Sequence, residues 1–303
     1  MRASRRPSSV DASLRSFAEA DRPAVLELSR RAVARVQEQV GNPLWETRGE
    51  MDAELAGWDR PPGETLLVAD EDGVVAGFGG VEMASGWDHA DLFGPLVAPA
   101  FRGQKVGSAL LDRSVDLARA GSATRVLGSV GTHNGNGRML LERRGFKAQE
   151  GAHALFRLFP ATHRPAGAAS TGVSVRRGDP ADLAGALALY RECFPDGQLP
   201  EGVWRRGLEQ GNVFLAEDGD RIVGLVDIDA SDRWIYHLGV TRSEREHGVG
   251  AFLLSSALES YWRAHPGETL GLSVGADNIP AVRLYRRQGF APWLVLQYFE
   301  LRL

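Results

Sequence analysis

"REHGVG", residues 245–250, stands between a β-rich run ending at Val240 and a helical run, and "RGQKVG", residues 102–107, stands in the same setting 143 residues earlier. The two phrases differ where the later has Gly248 and the earlier has Lys105. Asn134 and Asn278 recur 144 residues apart, as do "GF" at 145 and "GF" at 289, so one residue is gained between the phrases and these markers. A period this long does not make a solenoid; it marks a duplicated domain. The 303 residues leave room for two domains of ordinary size, about 150 residues each.

Around the phrases, both halves read in one order. A short strand ("SLRSF"; "VSVRR") leads to Asp-started helical stretches with Pro near the first turn, where its missing N–H costs nothing. Two strands follow, joined at "EDG", a hairpin signal between β-rich runs. A fourth strand ("ADLFGPLV"; "RWIYHLGV") runs into the repeated phrase. Then come a helix with apolar residues at helical spacing, a strand, another helix and a last strand ("HALFRLF"; "LVLQYFELR"). The order β-α-β-β-β-α-β-α-β predicts an α/β (α+β) fold, a mixed sheet covered by helices. "PATHRPAGAASTG", residues 160–172, reads as a linker. The expected divisions are a disordered tail at 1–12, a first domain at 13–160, a linker at 161–172 and a second domain at 173–303.

Hydrophobic residues make up 43% and charged residues 24%, a globular composition. A net charge of −4 without a Lys/Arg stripe argues against a nucleic-acid partner. Cys193, the single cysteine, excludes an internal disulfide and a multi-Cys zinc site, and reads as a small core residue. The apolar runs are too short to span a bilayer, and "MRASRRPSSVDA" lacks the apolar segment of an export signal. The expectation is a cytoplasmic protein without membrane partners.

Glycines at a helix mouth let backbone approach a ligand and leave first-turn N–H groups free for an anion such as a pyrophosphate. Neither copy is a Walker loop, and "GVGAFL" lacks the third glycine of a dinucleotide fingerprint. A dinucleotide oxidoreductase is therefore a weak alternative.

Arg245, Gly248 and Gly250, followed by Asn278, Ala281, Leu284, Tyr285, Gly289 and Phe290, resemble the GNAT superfamily of acyl-CoA-dependent N-acetyltransferases. The likeness extends more weakly over both halves. It implies two tandem GNAT domains, each a mixed, mostly antiparallel sheet, with acetyl-CoA as co-substrate. The loop amides of Arg245, Glu246, His247, Gly248, Val249 and Gly250 would hold the coenzyme pyrophosphate. The strand containing Leu238 and Val240 would pair with the pantetheine, and Asn278 and Tyr285 would complete the site. Carried to the first half, the same positions are Val97, Arg102, Lys105, Gly107 and Asn134.

Acetyl transfer to an amine needs a proton acceptor, an oxyanion donor and an acid for the thiolate. A strand N–H near Val240 suits the oxyanion, and the resemblance gives Tyr285 the acid role. Its bland alternative is an amphipathic core residue. For the base, alternation places Trp234, Tyr236 and Leu238 on one strand face, and Ile235, His237 and Gly239 on the other, unless a bulge intervenes. His237, with Tyr236 beside it, is a base candidate or a hydrogen-bonded core histidine. Asp227 and Asp229 share a face and either draw in a cationic amine or decorate a solvated strand end. No metal-ligand spacing is present.

The first half has Leu141 at the Tyr285 position, and leucine cannot donate a proton. Lys105 adds a Cβ at the cradle, although its ammonium can meet a phosphate. The second half is expected to be active and the first to be degenerate. The acceptor cleft is expected against residues 196–212, including Trp204. A small-molecule amine is the expected acceptor and a peptide a lesser one; an acyl-CoA-binding or scaffold protein is the alternative to an enzyme. Monomer and homodimer both fit.

Overall fold

The computed structural model describes residues 13–167, 172–195, 197 and 199–303. The expected tail at 1–12 and residues 168–171 of the expected linker lie outside them. In chain order the first half contains β1 (Ser13–Ser16), α1 (Arg22–Ala34), α2 (Arg48–Ala56), α3 (Pro62–Thr65), β2 (Leu66–Glu71), β3 (Val74–Glu82), β4 (His89–Val97), α4 (Val106–Ala120), β5 (Arg125–Gly131), α5 (Gly135–Glu142) and β6 (Lys147–Leu158). The second contains β7 (Ser174–Arg177), α6 (Leu183–Cys193), α7 (Glu201–Glu209), β8 (Val213–Asp218), β9 (Arg221–Asp229), β10 (Trp234–Val240), α8 (Val249–Ala264), β11 (Leu270–Gly275), α9 (Ile279–Arg287) and β12 (Ala291–Arg302).

The chain forms two compact units, but their limits do not follow the halves. One comprises the described chain up to His153 together with Leu294–Leu303; the other comprises Ala154–Trp293. The sheet of the first unit runs β1-β2-β3-β4-β5-β12, and that of the second runs β6-β11-β10-β9-β8-β7. Each half's last strand therefore completes the other half's sheet. The residues show the exchange directly. Phe299 on β12 lies opposite Gly128 of β5 and is buried with Val126, Val130, Leu141 and Phe146. Phe156, its counterpart on β6, is buried with Leu253, Leu272 and Tyr285 of the second unit.

One parallel pair interrupts the antiparallel strands of each unit, β1 to β4 with β5 and β12 in the first and β7 to β10 in the second. β4 pairs with β5 from His89 to Asp91, and β10 with β11 only at Trp234 and Ile235. Both long strands run on past that point, to Val97 and Val240. The result is a splay in each unit, where the parallel neighbour no longer pairs with the long strand and its backbone groups call for a partner from elsewhere.

Alternation on β8 and β9 sets the two faces of the second sheet. Phe214, Ala216, Val226 and Ile228 pack with α8, whereas Val213, Leu215 and Leu225 pack with α6 and α7. At the sheet edge of each unit an arginine on the first strand clamps two carboxylates: Arg15 holds Asp21 and Asp70, and Arg176 holds Asp182 and Glu217. Asp21 and Asp182 are thereby held below the usual carboxylate range, chiefly by the arginine hydrogen bonds.

Candidate active site

The repeated phrase folds alike in both units. Its backbone twice enters the left-handed region before the helix begins. In the second unit the two positions are Glu246 (φ 67°) and Gly248 (φ 84°); in the first they are Gly103 (φ 76°) and Lys105 (φ 66°). Each loop thus has one glycine where it is free and one side chain where it is strained, at the opposite position. A Cβ built on Gly248 meets nothing within 4 Å. The loop keeps the same left-handed turn with Lys105 in the place of Gly248.

No side chain caps either α8 at Gly248 or α4 at Lys105. The first-turn N–H groups, those of Val249 and Gly250 among them, are left for an anion. The arginines staple the loop to its strand: Arg245 Nε donates to the Val240 carbonyl at 3.0 Å, and Arg102 Nε to the Val97 carbonyl at 3.0 Å. His247 is exposed on the second loop. Gly250 and Gly107 sit where an added Cβ would lie 3.4 Å from Val240 Cγ2 and 3.3 Å from Val97 Cγ2. Small residues there let the helix mouth approach the strand.

Asn278 and Asn134 cap the next helices, accepting from Ala281 N and Gly137 N. Asn134 also donates to the Gln39 carbonyl at 2.9 Å. Tyr285 on α9 is buried against Phe156 and Phe290, and its hydroxyl finds no hydrogen-bond partner among the described residues. Burial pushes its phenol up to about 12, so it holds its proton at neutral pH. Leu141 fills the counterpart place in the first unit.

The face assignment on β10 needs correction. A bulge at Tyr236 follows the Ile235–Ile228 pair, and His237 then pairs with Asp227. Ile235 therefore faces α8, while His237 faces α6 and α7 in company with Asp227. His237 Nδ1 lies 3.4 Å from Asp227 Oδ2, both side chains being mostly buried. The rings of Tyr190, Phe194 and Trp204 surround the imidazole at 5.3, 5.6 and 5.5 Å. Trp204 is itself buried, with an unpartnered indole N–H, so it meets the site through His237 and not through an open cleft. Of the segment 196–212, residues 196 and 198 lie outside the described chain.

Tyr236 is half exposed, but its hydroxyl donates to Asp232 at 2.6 Å. Burial of that hydroxyl and the carboxylates of Asp232, Asp229 and Asp227 push its phenol well up. Asp229 holds the β9–β10 turn, accepting from Ser231 N and Asn212 Nδ2. Cys193 rests against the Val240 carbonyl, and burial pushes its thiol up, as suits a packing residue. Among the described residues no three His, Cys, Asp or Glu side chains are grouped for a metal, and no helix is long and apolar enough to cross a membrane.

In the first unit the splay is filled. Residues 39–42 lie along it: Gly131 N donates to Gln39 O, Gly41 N to Ser129 O, and Gly94 N to Asn42 O. Among the described residues the second unit has no such strap. A cavity of about 480 Å3 nevertheless remains in the first unit, lined by Val97, Arg102, Lys105, Gly107, Asn134 and Glu38 among others. Glu38 is gripped by Arg102 (2.8 Å) and Arg31 (2.8 Å), whose hydrogen bonds hold its carboxyl down to about 2. Sequence reasoning missed Glu38 and the strap, because neither lies in a repeated phrase.

An anion cradle at a helix mouth beside a splayed strand edge, twice over, describes a family of acyl-coenzyme-dependent transferases. The acetyltransferase (GNAT) family model matches residues 33–146 and 183–290. The chain is 31% identical to mycothiol acetyltransferase of Clavibacter sepedonicus over 260 residues, covering 75% of this chain and 78% of that protein. It is 29% identical to the same-named protein of Streptomyces bingchenggensis over 296 residues, covering 89% and 91%. Its fold matches a GCN5-related N-acetyltransferase from Sphaerobacter thermophilus (TM-score 0.76, 21% identity, 96% and 95% covered). It also matches a tandem GNAT protein from the clavulanic acid biosynthesis pathway (TM-score 0.66, 18% identity, 96% and 98% covered). The chain belongs to the GNAT family, with two tandem domains, and is an acyl-CoA-dependent N-acetyltransferase. Of the enzyme and the scaffold readings, the family selects the enzyme.

Proposed function

We propose that the second unit transfers the acetyl group of acetyl-CoA to the primary amine of a small molecule by direct attack on the thioester. One observation carries this reading: the uncapped mouth of α8 stands at the end of the unpaired β10 edge, and buried Tyr285 and His237 flank that edge from opposite faces. The loop from Arg245 to Gly250 would hold the pyrophosphate through backbone N–H groups. The edge at Leu238 and Val240 would pair with the pantetheine amides, and a strand N–H there would meet the oxyanion. Tyr285 would protonate the departing thiolate and His237 would take the amine's proton. The relatives named mycothiol acetyltransferase make the amine precursor of mycothiol the first acceptor to try.

The first unit is proposed to hold coenzyme without using it. Its cradle keeps the backbone and Lys105, while Leu141 replaces the acid and the strap 39–42 occupies the splay. The test is thiol release from acetyl-CoA over a panel of small amines, run beside a peptide panel. Turnover on a small amine is the expected result; turnover confined to peptides would refute the acceptor class.

A further inference from the structure

We infer that Asp227 and His237 form a carboxylate–imidazole dyad in which Asp227 positions the ring that deprotonates the acceptor amine. The inference rests on the acetyl-transfer reading and gives Asp227 a role other than attracting substrate. The bulge at Tyr236 is what creates the pair. Regular alternation would put His237 on the face of Ile235; the extra residue brings it opposite Asp227, with Nδ1 3.4 Å from Oδ2. A carboxylate at that nitrogen favours the tautomer with the proton on Nδ1 and leaves the Nε2 lone pair as acceptor. Catalytic hydrogen bonds of this length often tighten once substrate is bound.

The surroundings leave the ring little else to do. Tyr190 and Phe194 of α6 and Trp204 of α7 wall it edge-on or tilted. The titratable groups around it are Asp227 and Asp229 from β9, Tyr190 and Cys193 from α6, and Tyr236 with Asp232 from its own hairpin. Asp229 is engaged in the turn, Tyr236 with Asp232, and Cys193 with the Val240 carbonyl, so Asp227 is the carboxylate that meets the imidazole. The first unit offers an internal comparison. The counterparts of Asp227 and His237 are Gly80 and Gly94, where a Cβ would lie 2.3 Å from Thr65 O and 2.8 Å from Phe78 O. That unit has closed both positions to any side chain, in the same domain that lacks the tyrosine.

In the step itself Nε2 takes a proton from the acceptor ammonium, and Asp227 stabilises the imidazolium. The neutral nitrogen then bonds to the thioester carbon, the C–S bond breaks, and Tyr285 protonates the thiolate. The surplus proton on nitrogen passes to solvent, His237 returns its own, and solvent reprotonates Tyr285. One ammonium and one thioester thus give one amide, one thiol and one proton.

Two measurements test the dyad. Nitrogen-15 NMR of histidine-labelled protein reads the His237 tautomer without any substrate. Nδ1–H is expected in the native chain and is expected to be lost in Asp227→Asn; Nε2–H in the native chain would overturn the dyad and leave the acetyl-transfer reading standing. On an amine that the native enzyme acetylates, Asp227→Asn is expected to lower kcat at least about 10–100-fold with the acetyl-CoA KM unchanged, the range for a carboxylate that orients a metal-bound histidine, and up to about 10⁴-fold, as for the carboxylate of a catalytic triad. Asp227→Glu is expected to recover part of that loss, and imidazole to restore turnover to His237→Ala. Unchanged kcat in Asp227→Asn, or equal losses in the Asn and Glu variants without imidazole rescue, would overturn it.

Discussion

Replacing Phe299 by Ala probes the exchanged strands. Phe299 lies four residues before the end of the described second half, yet its ring is fully buried in the core of the first unit, with Val126 and Phe146 as neighbours. Truncating a buried Phe costs about 3–5 kcal/mol through lost transfer energy and the cavity left behind. That is a large share of a domain's stability of about 5–15 kcal/mol. Amide hydrogen exchange followed by mass spectrometry locates the loss. Amides of β2 to β5 that open with their unit are expected to exchange faster by about two to nearly four orders of magnitude, at about 1.4 kcal/mol per tenfold. Those of α8 and β9 are expected to change far less. Acceleration confined to residues 173–293, with β2 to β5 unaffected, would refute the strand assignment.

Tyr285→Phe is expected to lower kcat by about 100-fold or more while acetyl-CoA binding, read by calorimetry, changes little; equal losses in both would make Tyr285 a packing residue. Lys105→Gly is expected to stabilise the first unit by about 1 kcal/mol in chemical denaturation, since it relieves a left-handed side chain. Glu38 is lowered in the folded state from near 4.5 to about 2, so its contribution is complete above about pH 4.5 and is lost as pH falls toward 2. Glu38→Gln is expected to flatten the acid limb of the first unit's stability curve over that window.

The repeat, the element order and the cradle were legible in the sequence because each is local. Glycine spacing, hairpin residues and helical periodicity sit within a few residues of what they determine. The exchange of β6 and β12 was not legible. "HALFRLF" and "LVLQYFELR" share one strand pattern, and nothing in either says which sheet it joins. The bulge at Tyr236 was open to sequence only as an exception to alternation, and it decides which residue His237 meets. The strap at 39–42 escaped notice because it is held by backbone hydrogen bonds to distant strands and by the Asn134 amide on the Gln39 carbonyl, contacts that its own four residues do not signal.

The exchanged strands also set a schedule for synthesis. A ribosome makes Leu294–Leu303 after every other element of the two units, and β5 has no neighbour on that side of its unit until they emerge. Throughout translation of the second half, the first unit waits with an unpaired strand edge, the kind of surface that invites aggregation. A gene cut between the halves would leave each fragment carrying a strand that belongs to the other unit.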